Sequence, residues 1–71
     1  MSLDEKLEFV EKVLHEPQFS LQEDSKLKSL NGWESLNIVN LEMELLAKGI
    51  SVDATQLREC KTVGEICELL D

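Results

Sequence analysis

The sequence predicts an all-α protein, a small four-helix bundle of three main helices and one short helix, with residues 1–71 forming a single domain. The first observation behind this prediction is that apolar residues recur at helical spacing in three segments. The second is that three Gly and one Pro leave few residues that interrupt helices. The third is that 42% of the residues are hydrophobic but only 4% are aromatic, so Leu, Val and Ile dominate a core suited to helix packing.

The first predicted helix begins after Ser2, because Glu5 follows three positions later in a capping-box arrangement. Its apolar face comprises Leu3, Leu7, Phe9, Val10, Val13 and Leu14. Pro17 is expected to end this helix, since proline cannot continue the backbone hydrogen bonding. The single histidine, His15, is interpreted as a surface residue near the helix end and not as a metal ligand or a base.

A long connection of residues 16–33 follows the first helix. Structureless loops of this length are uncommon in compact domains, so we expect side chains to anchor it across the helix ends. The side chains expected to do so are Phe19, Leu21, Leu27 and Leu30. Asn31 and Gly32 form a turn signal that closes the connection.

The second predicted helix covers residues 35–48 and ends at Gly49 as a C-cap. Its apolar side chains form two stripes, and Ser35 and Glu42 lie between them. One stripe contains Leu36, Val39, Met43 and Leu46, and the other contains Ile38, Leu41 and Leu45. Two arrangements remain open: the helix is buried on both sides, or one stripe stays exposed for a partner or a hydrophobic cargo.

Two shorter helices complete the predicted bundle. Asp53 is expected to cap a brief helix over residues 54–58. Thr62 and Glu65 predict a capping box at the start of the last helix. The apolar face of that helix comprises Val63, Ile66, Cys67 and Leu70.

Charge and composition narrow the classes of function. The net charge of −8 opposes binding to nucleic acid and to anionic membranes, and it favours partners with basic docking surfaces. The alternative is that the acidic residues only keep the domain soluble. Cys60 and Cys67 are not spaced as a metal-binding pair, so we interpret them as reduced, small buried hydrophobes and predict no metal site.

The expected compartment follows from what the sequence lacks. The N-terminal segment has no continuous apolar run typical of a signal peptide, and no segment approaches the ~20 apolar residues of a membrane span. We therefore expect a cytoplasmic monomer that does not insert into membranes.

Ser35 has three possible roles: an ordinary helix cap, a catalytic nucleophile, or a site that another enzyme modifies. Trp33 and Ile38 have the spacing of a hydrophobic staple around a cap at Glu34, which places Ser35 first in the helix and near the surface. No GxSxG elbow surrounds it and His15 lies far back in the sequence, so we expect no catalysis by the chain itself. A phosphodiester on Ser35 would instead meet free N–H groups at the positive end of the helix dipole.

The segment LNGWESLNIVNLEMEL, residues 30–45, resembles the helix-II signature of acyl carrier proteins and peptidyl carrier domains. The tail GISVDATQLRECKTVGEICELL, residues 49–70, is similar to that family's short loop, brief third helix and closing helix opened by Thr-Val-Gly. With the N-terminal helix included, the resemblance covers nearly the whole chain. It implies a four-helix bundle of the acyl-carrier-protein type.

The resemblance also implies a function. Ser35 matches the serine that receives 4′-phosphopantetheine from coenzyme A through a separate, magnesium-dependent phosphopantetheinyl transferase. The thiol of that arm would carry acyl or aminoacyl groups as thioesters, from a loading enzyme to a downstream synthase or transferase. The residues implied in partner docking are Glu34, Leu36, Val39, Asn40, Met43 and Glu44.

Several positions depart from the family's pattern. Glu34 replaces the usual Asp, Asn40 stands where an acid is common, and Glu42 and Glu44 occupy positions more often apolar or small. The segment MELLAKGI, residues 43–50, also lacks the familiar Glu-Glu-Glu-Phe run. These departures favour a carrier dedicated to one biosynthetic pathway over one serving general fatty-acid synthesis. The alternative is a carrier-like helical interaction domain that is never modified.

Overall fold

The computed structural model describes residues 1–70, which form four α-helices connected by a long loop and two short ones. The helices are α1 (Leu3–Leu14), α2 (Ser35–Ala47), α3 (Ala54–Glu59) and α4 (Val63–Leu69). The predicted all-α bundle is thus confirmed. Asp71, the last residue of the predicted domain, lies outside the described residues.

Helix α1 has both ends fixed by local hydrogen bonds. The predicted capping box is confirmed, because the N–H of Glu5 donates to Ser2 Oγ at 3.2 Å and the N–H of Ser2 donates to Glu5 Oε1 at 3.0 Å. The helix ends at His15, whose φ of 60° lies in the left-handed region and whose N–H donates to the carbonyls of Glu11 and Lys12. His15 is exposed, as predicted.

The core lies where α2 packs against both α1 and α3, and where α4 packs against α1. Its members come from every helix, from the long connection, from the loop before α3 and from the residue after α4: Val10, Leu14, Leu21, Leu27, Ile38, Leu41, Leu45, Val52, Leu57, Val63, Ile66, Cys67 and Leu70. Both cysteines are free thiols. Cys67 is buried as predicted, but Cys60 is only half-buried, because it follows α3 at the edge of the core.

The long connection is held by a buried carboxylate. Glu11 on α1 is only 3% exposed, and its two carboxylate oxygens accept the backbone N–H groups of Phe19, at 3.2 Å, and Leu21, at 3.0 Å. Leu21 is buried as predicted, but the prediction for Phe19 is wrong: its side chain is 85% exposed. The reason is a tight turn, closed by the N–H of Ser20 on the carbonyl of Pro17, which places Phe19 at the tip with a φ of 66°.

The second half of the connection pairs with the segment before α4. Lys26 and Thr62 form an isolated antiparallel bridge, in which the N–H of Leu27 donates to Lys61 and the N–H of Val63 donates to Ser25. A short 3₁₀-helix, Leu27–Ser29, then leads toward α2. Buried Leu27 anchors it, as predicted, and Leu30 packs against the core.

The short helices are capped much as the sequence predicts. Asp53 caps α3 through a full capping box with Gln56. Thr62 Oγ1 accepts the N–H of Glu65 at the start of α4, but the Glu65 carboxylate accepts from Lys61 instead of completing the box.

Helix α2 ends in a Schellman motif. Gly49 has a φ of 83°, its N–H donates to Leu46, and the N–H of Ile50 donates to Leu45. The last helical residue is Ala47, one before the predicted end.

Candidate attachment and docking site on helix α2

Ser35 is the first residue of α2, as predicted, and it is exposed. Glu34 before it has an extended backbone, with φ −133° and ψ 165°, and its carbonyl accepts the first helical hydrogen bond from Ile38 at 2.9 Å. The Glu34 side chain makes no capping hydrogen bond. Because the first N–H groups of a helix have no partner within it, the site combines an exposed hydroxyl with free donors.

Hydrophobic contacts set the angle at which the chain enters α2. Trp33 is half-buried and packs against the core, and Ile38 in that core is only 5% exposed. They occupy the two positions of a hydrophobic staple, one before the cap and four into the helix. Both side chains thus lie at the core, at the two positions predicted for a staple around Glu34.

The turn before Ser35 is also fixed by Asn37, a residue that sequence reasoning did not single out. Asn37 is 6% exposed, and its Nδ2 donates to the carbonyl of Gly32 at 2.8 Å. Gly32 in turn packs against the end of α1, because a Cβ at this position would overlap the carbonyl oxygen of Leu14. The only available signal was a polar residue falling among the apolar positions of α2 that face the core.

One of the two apolar stripes of α2 is buried and the other is exposed. Ile38, Leu41 and Leu45 lie in the core. The exposed stripe follows Ser35 along the helix; its exposed fractions are 66% for Leu36, 37% for Val39, 63% for Met43 and 66% for Leu46. The helix is therefore not buried on both sides, and one stripe stays exposed.

The predicted docking residues fall on two parts of this surface. Glu34, Leu36, Val39 and Met43 are exposed near or along the stripe. Asn40, which is half-buried, and Glu44, which is exposed, lie beside a groove of about 540 Å³ between α1 and α2. The α1 side of this groove is formed by Phe9, Lys12, Val13 and His15.

A second groove runs along the other side of the stripe, between α2 and α3. It has a volume of about 400 Å³, and Met43 and Leu46 line it from α2. Glu42, predicted to escape full burial, is half-buried there, and its Oε2 accepts the N–H of Ala54 at 3.0 Å. Since Met43 also lines the first groove, the exposed stripe forms a ridge between the two grooves.

His15 is the single histidine and thus a candidate base for the serine. His15 lies closer to α2 than its sequence position suggests, since it lines the first groove with Asn40 and Glu44. Within residues 1–70, however, no hydrogen bond joins the Ser35 hydroxyl to a histidine or a carboxylate. The described residues also contain no cluster of His, Cys, Asp and Glu arranged to hold a metal ion. Among the described residues, the Ser35 hydroxyl is thus exposed and has no side-chain hydrogen-bond partner.

Cys60 is a half-buried free thiol just after α3. Burial raises the pKa of its thiol, and the carboxylates of Glu65, Glu59 and Glu68 raise it further. The Sγ donates a hydrogen bond to the carbonyl of Gln56 at 3.5 Å. Because the thiolate is the reactive form, this environment makes Cys60 a weak nucleophile.

No protein-family model, curated protein or solved structure matches the chain. The relation to carrier proteins therefore rests on the residues of segments 30–45 and 49–70 and stays a prediction. Among residues 1–70, no helix has both the length and the apolar character needed to cross a membrane.

Proposed function

We propose that this chain is a discrete carrier protein of the acyl carrier type, modified with 4′-phosphopantetheine on Ser35. The observation that carries the proposal is the joint position of Ser35 and the exposed stripe. The serine is exposed at the first position of α2, and the apolar residues Leu36, Val39 and Met43 continue from it along the solvent-facing side. An exposed apolar ridge is costly in a small domain unless a partner covers it.

The surroundings of Ser35 fit a phosphodiester. The N-terminal N–H groups of α2 can donate to anionic oxygens, and the helix dipole favours negative charge at this end. No side chain of the described residues hydrogen-bonds the Ser35 hydroxyl, so it is free to react. The exposed Glu34 opposes the added negative charge, but its side chain makes no capping hydrogen bond that would occupy these N–H groups.

The modification is a group transfer from coenzyme A. The Ser35 oxygen forms a bond to the phosphorus that bears pantetheine, and the bond from that phosphorus to the adenosine 3′,5′-bisphosphate leaving group breaks. The hydroxyl proton passes to a base on the magnesium-dependent transferase, since no side chain among residues 1–70 hydrogen-bonds the serine hydroxyl. The attached arm, when present, supplies a thiol that carries acyl or aminoacyl groups as thioesters.

The chain itself is proposed to be a non-catalytic cytoplasmic monomer. Its partners would be the transferase, a loading enzyme, and a synthase or transferase that accepts the cargo in one dedicated biosynthetic pathway, such as fatty-acid or polyketide synthesis. The net charge of −8 supports basic docking surfaces on these partners. The weak nucleophilicity of Cys60 suits this role, because a reactive thiol would take the acyl group from the arm.

The second candidate is a carrier-like interaction domain that is never modified, because the exposed stripe alone would serve that role. Co-expression with a broad-specificity phosphopantetheinyl transferase, followed by intact mass measurement, separates the two. The carrier proposal expects a gain equal to one phosphopantetheine group, and no gain in Ser35→Ala. Ser51→Ala is the matched control, since Ser51 is also exposed but precedes α3, and it should gain the group normally. An unmodified wild-type chain would favour the interaction domain.

A further inference from the structure

We infer that Asn37 is a positioning residue for the modification of Ser35, acting through the turn that leads into α2. The inference rests on the proposed function and concerns how the serine is presented to the transferase. Asn37 lies two residues after Ser35, in the first turn of α2. It contacts the chain before the serine, so it joins the two segments that flank Ser35.

The side-chain amide of Asn37 is buried. The residue is 6% exposed, and its Nδ2 donates to the Gly32 carbonyl at 2.8 Å. A buried amide is costly unless it is hydrogen-bonded, so this bond keeps the side chain and the Gly32 carbonyl together. The Asn37 side chain therefore links the first turn of α2 to the turn that precedes Ser35.

The Gly32 carbonyl accepts two hydrogen bonds, one of them from Asn37. It also accepts the N–H of Glu34 at 3.0 Å, which closes a tight turn around Trp33. On its other side, Gly32 lies against the Leu14 carbonyl at the end of α1, where no Cβ fits. The turn is thus held between the end of α1 and the start of α2.

The orientation of the Ser35 side chain is set by the backbone around it. No side chain in the described part of the chain bonds its hydroxyl, so its orientation depends on the backbone of residues 32–34 and on the first turn of α2. Helix ends fray more readily than helix interiors. Loss of the Asn37 bond would loosen the serine while leaving Leu36 and Met43 on the helix to bind the transferase.

The test is steady-state transfer from coenzyme A to wild type, Asn37→Asp and Asn37→Ala at a temperature where all are folded. Both variants lose the donor, and we expect kcat to fall roughly fivefold or more, with KM within about twofold. The matched control is Asn31→Asp, which makes the same chemical change at an exposed residue of the connection before α2 and should behave as wild type.

A merely structural role gives a different pattern. Because all chains are folded in this assay, it would leave kcat at the wild-type value and would show only as a lower melting temperature, and that pattern would overturn the inference. A wild-type chain that is never modified would remove the proposed function itself.

A second measurement needs no transferase and no modification. In hydrogen exchange, the Glu34 amide, which donates to Gly32, should exchange at least fivefold faster in Asn37→Ala, while the Leu45 amide in the interior of α2 should not change. Equal protection of Glu34 in both chains would overturn the inference even if Ser35 is modified normally.

Discussion

The carboxylate of Glu42 accepts the backbone N–H of Ala54 at 3.0 Å, and this hydrogen bond joins the middle of α2 to the first turn of α3. It explains how an acid between two apolar stripes is accommodated: the side chain is half-buried and its charge meets a helix N-terminus. It also fixes one wall of the groove beside the exposed stripe.

Replacing Glu42 by Ala should therefore lower the free energy of unfolding by about 1–2 kcal/mol, because a hydrogen bond to a charged group is lost. Chemical denaturation measures this directly. Glu44→Ala is the control on the same helix, since Glu44 is exposed and should change stability by less than about 0.5 kcal/mol. Equal effects of the two substitutions would show that the bond to Ala54 contributes nothing.

The two stripes of α2 should respond oppositely to truncation. Leu36 is 66% exposed, so Leu36→Ala should cost less than about 0.5 kcal/mol of stability but slow modification by the transferase. Leu41 is fully buried, so Leu41→Ala should cost about 2–5 kcal/mol. Thermal melts and transfer kinetics on both variants check this. Transfer at the wild-type rate by Leu36→Ala would remove that side chain from the docking surface.

Reversing the charge of Glu34, at the start of α2, or of Glu44, within α2, should slow association with a partner protein. Glu34→Lys and Glu44→Lys are expected to reduce the association rate with a basic partner more at low salt than at high salt, because ions screen exposed charges. Glu59→Lys changes the net charge equally on α3 and is the control. Stopped-flow association with the transferase measures the rates. If all three variants slow association alike, only net charge matters and the acids of α2 have no docking role.

The caps and the apolar periodicity carried most of the fold prediction. Ser2, Asp53, Thr62 and Gly49 act locally, so their positions in the sequence suffice to place helix ends. The two stripes of α2 were likewise evident from spacing, but which stripe is buried depends on where α1 and α3 pack.

The residues that were missed act across the fold. Glu11 accepts two N–H groups from a connection eight and ten residues away, and nothing in its own segment indicates this. The same two hydrogen bonds hold the turn that places the Phe19 side chain in solvent, although phenylalanine is apolar. Asn37 likewise acquires its role only when Gly32 reaches the end of α1.

The pH dependence of Cys60 alkylation should reveal the raised pKa of its thiol. A thiol whose pKa is raised in the folded chain holds its proton to higher pH, so alkylation of Cys60 should require higher pH than alkylation of the unfolded chain. Ionisation of the thiol also lowers the free energy of unfolding. This loss is absent below the pKa that Cys60 has in the unfolded chain, and it is complete once the pH has risen through the pKa of Cys60 in the folded chain. Iodoacetamide labelling against pH, with peptide mapping, measures this; the tryptic cut at Lys61 separates Cys60 from Cys67. Identical pH profiles for folded and unfolded chains would contradict it.

The most direct test of the central claim is the site of modification on the purified chain. The chain is incubated with coenzyme A, magnesium and a broad-specificity transferase, and fragmentation mass spectrometry then locates any added group. We expect one phosphopantetheine on Ser35 and none on the exposed serines Ser2, Ser20, Ser29 and Ser51. A chain that stays unmodified, or that is modified equally at another serine, would contradict the carrier function.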